Sequence, residues 1–98
     1  AALAEILRKN PDDYAANCAL GGLALTTLTR LDDGAASLRR CLELCPAEND
    51  EGHEFAQWTL GQILEIKHEV PAARMAYESS LRINPRFKPA EEALVRLQ

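Results

Sequence analysis

Long apolar runs, aromatic rings, blocks of basic charge and paired-cysteine motifs are all scarce in this chain of 98 residues, and each scarcity excludes something. The longest strongly apolar window, "CALGGLALTTL", falls well short of the roughly 20 residues that cross a bilayer, and no basic start leads into it, so neither a membrane nor a secretory route is expected. Eleven Lys and Arg against fifteen Asp and Glu give a net charge of −4 with no basic stripe, which argues against nucleic acid as a partner. Aromatic residues make up 5% of the chain, leaving little for a stacking mechanism to rest on. Cys18, Cys41 and Cys45 are odd in number and lack CxxC spacing, so no disulfide framework is expected and a reducing, cytoplasmic setting fits better. Chemistry is equally thin. "LGGLAL" sits inside a helical pattern and lacks the Lys-Ser/Thr of a phosphate loop, and His53 and His68 have no nucleophile at a telling spacing. No enzyme and no cofactor are expected.

What the chain does have is Ala, Leu and Glu in abundance, only five Gly and five Pro, and few β-branched residues, a composition that favours helix over sheet. Leu3, Ile6 and Leu7 share one helical face before Pro11 ends the segment. Asp12 or Asp13 can cap a second helix over about 13–29, whose apolar surface is Tyr14, Cys18, Leu20, Leu23, Ala24 and Leu28. Asp32 is the expected N-cap of a third, in which Ala35, Leu38, Cys41, Leu42 and Cys45 follow i, i+3, i+4, i+7 spacing until Pro46. The pattern then repeats, with helices over about 51–67 and 71–83, a stop at Pro85, and a last helix from Pro89.

The prolines mark a long period: 35 residues separate Pro11 from Pro46, and 39 separate Pro46 from Pro85. Leu-Gly recurs at Leu20-Gly21 and Leu60-Gly61, and from the glycine to the closing proline is 25 residues in one unit and 24 in the other. Repetition at this length implies stacked helix pairs.

Residues 54–85 carry Gly61, Ala73, Ser80 and Pro85 at the eighth, twentieth, twenty-seventh and thirty-second places of a helix–turn–helix unit, and in this they resemble the tetratricopeptide repeat. Tyr14 to Pro46 fits as a second such unit with one extra residue near "LTRLDD". The resemblance implies an all-α fold: a right-handed superhelical stack of antiparallel helix pairs, about six helices in one domain. Its parts are the second helix of a partial repeat (1–11), a repeat (12–46), a repeat with the short insertion "NDEGH" (47–85) and a capping helix (86–98). In the family's geometry Gly61 faces Ala73 across a close helix–helix approach, Ser80 receives the following helix, and Val95, bulky at the eighth place of the last helix, marks that helix as a cap.

The same resemblance implies a concave face built from first helices that binds an extended peptide or a partner's helix, so the expected role is a scaffold or adaptor. Its groove places fall on Ala15, Cys18, Gly22, Leu25 and Thr26, then on Phe55, Trp58, Gln62, Glu65 and Ile66, and on Pro89, Glu92 and Arg96. Trp58 and Phe55 are natural anchors if exposed, but Trp58 can instead pack between neighbouring first helices, and Phe55 can lie off the groove. The Lys and Asn that clamp a C-terminal carboxylate in one branch of the family are replaced by Cys18 and Gly22 and by Trp58 and Gln62. An apolar or mixed segment is therefore expected, with some positive charge to meet Glu65 and Glu92. A structural alternative is self-association through an incompletely covered first helix. Cys41, Cys45 and His53 suggest a metal but lack a fourth ligand, and Cys41 stands at a small packing place, so burial is the expected role and no metal is predicted, with a metal- or thiol-dependent switch built on this set as the lesser alternative.

Overall fold

A computed structural model describes residues 2–44 and 53–97. Among them are six helices and no strand: α1 (Ala2–Lys9), α2 (Tyr14–Thr27), α3 (Leu31–Leu44), α4 (His53–Ile66), α5 (Val70–Ile83) and α6 (Lys88–Arg96). Each packs on its sequence neighbour where both are described, and α2 also reaches α4. Cys45, Pro46 and most of the insertion, residues 49–52, lie outside the described residues. No helix among those described is long and apolar enough to cross a membrane.

The local signals explain most boundaries. Asp13 caps α2, its Oδ1 accepting from the Ala16 N–H at 2.8 Å. Asn17, buried in the next turn, donates through Nδ2 to the Pro11 carbonyl at 3.0 Å and the Asp13 carbonyl at 2.9 Å, and so ties the α1–α2 turn down. Pro71 and Pro89 stand in the first turns of α5 and α6, where a missing N–H costs nothing. One expected cap is corrected. α3 starts at Leu31, so Asp32 and Asp33 lie inside its first turn, where they oppose the positive end of the helix. Asp32 also pairs with Lys67 at the end of α4 and holds the Lys67 ammonium above its ordinary pKa through that hydrogen bond. α2 ends earlier than the periodicity implies, because Leu28 turns left-handed at φ 55°.

The core is small-residue packing around a few large side chains. Ala35, Leu38 and Cys41 from α3, Ile63 and Leu64 from α4, and Ala73 and Tyr77 from α5 are buried together. α6 joins through Ala90 and Ala93, while Val95 is 63% exposed. The two Leu-Gly pairs are notches. A Cβ on Gly61 would stand 2.6 Å from the Tyr77 ring, and one on Gly21 would stand 2.2 Å from the Leu38 side chain. Beside the place where Gly61 is expected to face Ala73, the notch is filled by the aromatic ring one turn further along α5, and Ala73 itself is buried in the core. Leu38 follows Gly21 by 17 residues and Tyr77 follows Gly61 by 16, so the one-residue difference read from the sequence persists in three dimensions. It is taken up by α2, which runs one residue further past its glycine than α4 does.

Candidate functional site

The first helices of the pairs, α2 and α4, together with α6, share one face, and three hollows follow one another along it. The first lies between α2 and α4 and is lined by Tyr14, Ala15, Cys18, Gly22, Leu38, Phe55, Ala56 and Thr59. The second, of ≈ 390 Å³, lies between α4 and α6 and is lined by Trp58, Gln62, Lys88, Pro89, Glu92, Ala93 and Arg96. The third adjoins it, bounded by Gln62, Glu65, Ile66 and Arg96. Of the thirteen places expected to line a groove, eleven border these hollows. The other two stand apart: Leu25 packs against the core, and Thr26 is exposed with its hydroxyl donating to the Gly22 carbonyl at 3.0 Å.

The two aromatic candidates divide the roles between them. Trp58 is partly buried, packed on the core, with its ring edge-on to Phe55 at 5.2 Å and to Phe87 at 5.9 Å. It therefore fastens the α5–α6 connection to α4 while still walling the second hollow. Phe55, by contrast, is 55% exposed on the rim of the first. Phe87 and Lys88 were not anticipated. Their signal was faint, because a single Phe and a single Lys after a proline carry no periodicity.

Glu65 departs from expectation. Its Oε2 is paired with Arg96 and its Oε1 accepts from the Tyr77 hydroxyl at 2.8 Å. The hydrogen bond from Arg96 is the chief reason its carboxyl lies below the usual carboxylate range, and burial of Tyr77, with the bond to Glu65 second, raises the phenol. The charge of Glu65 is thus met within the chain, and it serves as the clasp holding α6 to α4 and α5 rather than as a free anion. Between these groups, Gln62 Oε1 is buried without a hydrogen-bond partner among the described residues, as is His53 Nε2 at the start of α4.

The cysteines also depart from expectation. Cys18 and Cys41 are joined as a disulfide, with Cα atoms 5.2 Å apart and a separation of 23 positions in sequence. Antiparallel packing of α2 on α3 sets these two places opposite each other, which spacing along the chain does not reveal. The bond withdraws Cys41 from the Cys41, Cys45 and His53 set, and no group of three His, Cys, Asp or Glu among the described residues is placed to hold a metal. In the second pair, Ser80 stands where Cys41 stands in the first. Its buried hydroxyl donates to the Glu54 carbonyl at 2.7 Å, back to α4, the helix that begins its own pair. Set against family models, curated proteins and solved structures, the chain matches none.

Proposed function

We propose that this chain is a protein-interaction module of tetratricopeptide-like architecture, whose helix pairs follow a right-handed superhelix and whose first helices hold an extended segment or a helix of a partner protein. It acts by binding, as a scaffold or adaptor, with no catalytic step. The observation that supports this most is the row of hollows along α2, α4 and α6, bordered by residues that the repeat register picks out from sequence alone. A second support is Gln62. A buried carbonyl oxygen without a donor costs about 1–3 kcal/mol, and a peptide N–H laid along the row would relieve it. Phe55 and Trp58 suit an apolar side chain of the partner, while Lys88, Glu92 and Arg96 suit a mixed polar flank.

The test is selection of binders from a random peptide library, followed by affinity measurement against variants. Phe55→Ala and Gln62→Leu are expected to weaken the selected peptides about tenfold or more, the cost of losing one buried anchor or one satisfied acceptor. Met75→Ala, an exposed residue on α5 outside the row, should leave affinity unchanged. Equal loss in all three variants, or in none, would remove the groove reading.

Self-association has its own support. Leu23 on α2 is 49% exposed beside a hollow bounded by Leu20, Ala24 and Thr27. Light scattering over a dilution series tests it: a dimer at low micromolar concentration that Leu23→Asp dissociates would support this second reading.

A further inference from the structure

The two sulfurs of the Cys18–Cys41 bond differ in access. Cys41 is 0% exposed, enclosed by the core that α3 shares with α4 and α5. Cys18 is only partly buried and forms part of the wall of the hollow between α2 and α4, alongside Ala15, Gly22, Phe55 and Thr59. We propose that this bond is a thiol-exchange site, at which a small aliphatic thiol of the glutathione class enters the hollow and becomes covalently attached to Cys18.

The step is a displacement at sulfur. The thiolate of the small molecule forms a new bond to Cys18 Sγ, the bond between Cys18 Sγ and Cys41 Sγ breaks, and its electron pair leaves on Cys41 Sγ, which takes up a proton from solvent. One thiol and one protein disulfide become one mixed disulfide and one protein thiol, with no external oxidant. A second thiol reverses the attachment, leaving Cys18 as a thiol and the small molecule as its own disulfide.

Two effects compete over which sulfur is attacked. Cys18 stands in the second turn of α2, nearer the positive end of its helix, whereas Cys41 is near the negative end of α3. A thiolate is better placed on Cys18, so leaving-group stability alone would direct attack to Cys41. Access decides the other way. Exchange requires approach along the line of the sulfur–sulfur bond, and a thiol reaching Cys41 would have to part α3 from the core. Only Cys18 opens on a hollow able to hold the attached group.

The experiment uses the full chain carrying Cys45→Ser, which removes the third thiol, with reduced glutathione as the probe. The oxidised protein is treated with limiting glutathione, free thiols are alkylated under acid quench, and adducts are mapped by mass spectrometry. Glutathione is expected on Cys18 and the alkyl label on Cys41, in about tenfold excess over the opposite arrangement, since exchange follows access to the attacked sulfur. Two variants in the same background extend the test. Adding Cys41→Ser should give a Cys18 adduct with glutathione disulfide that persists, while adding Cys18→Ser should leave Cys41 unmodified until guanidinium unfolds the chain. Adducts mainly on Cys41, or a protein disulfide that yields no adduct while folded but does so once unfolded, would overturn the proposal. The adduct map of the Cys45→Ser chain, which keeps both Cys18 and Cys41, decides the matter even if either further variant fails to fold.

Discussion

The two helix pairs, α2–α3 and α4–α5, are built to the same register and held together by different chemistry. At two matching places the first pair has a different solution from the second. Leu38 fills the notch at Gly21 where Tyr77 fills the notch at Gly61. The covalent Cys18–Cys41 link corresponds to Trp58 and Ser80, which act by ring packing and by a hydrogen bond to Glu54. The second pair buries more at one further place: Leu23 on α2 is exposed, while Ile63 at the matching place of α4 is buried.

The largest expected effect separates the pairs at their notch-filling residues. Tyr77→Ala should destabilise the protein by about 3–5 kcal/mol, the usual cost of removing a buried aromatic side chain, measured by urea denaturation followed by far-UV circular dichroism. A cost no greater than that of Leu38→Ala would erase the distinction. Next, replacing Cys18 and Cys41 together by Ser should cost about 3 kcal/mol, as expected for a cross-linked loop of this length. The loss should appear in hydrogen exchange of α2 and α3 before α4 and α5. Uniform loss across all four would mean the pairs do not differ in local cohesion.

A smaller effect is expected from filling the notches themselves. Gly61→Ala forces a methyl against a planar ring and should cost about 1–3 kcal/mol by overpacking. Gly21→Ala sets its methyl 2.2 Å from the Leu38 branch carbon in the core, closer than the Tyr77 ring stands at Gly61, and should cost at least as much. The reverse order in thermal melts would contradict this account of the notches. The smallest effect concerns acidity. The Glu65 carboxyl is lowered in the folded chain, so its contribution is present above the unfolded carboxylate pKa of about 4.3 and is lost as pH falls through the lower folded value. Fluorescence of Trp58, which lies against Phe87 just before α6, should report α6 loosening below about pH 4. Arg96→Met should weaken that transition, and an unchanged profile would show that Arg96 is not its cause.

How much of this could be read in the sequence follows from what is local. Prolines, the Asp13 cap and the apolar period fixed helix order, because each acts within a turn or two of its own position. The repeated Leu-Gly pair located the notches, but not what fills them. A ring from α5 and an aliphatic chain from α3 reach the two glycines from 16 and 17 residues away, and only the packed helices show which side chain arrives. The same distance hid the disulfide, whose members belong to different helices. The ion pair of Glu65 was hidden for a related reason: its partner, Arg96, is 31 residues distant and becomes adjacent only when α6 folds back on α4. Which of the expected places border the hollows follows from helix register, whereas the identity of what would occupy them depends on a partner's chemistry.

The succession of helices, each resting chiefly on its neighbours in sequence, also bears on how the chain reaches its native state. Nearly all inter-helix packing joins segments adjacent in sequence, with α2 against α4 the main exception. Loop closure between such neighbours is entropically cheap, and proteins of this low contact order fold on the microsecond-to-millisecond scale. A folding nucleus can thus arise in the α4–α5 hairpin, where Tyr77 meets Gly61, and grow outward by adding one helix at a time.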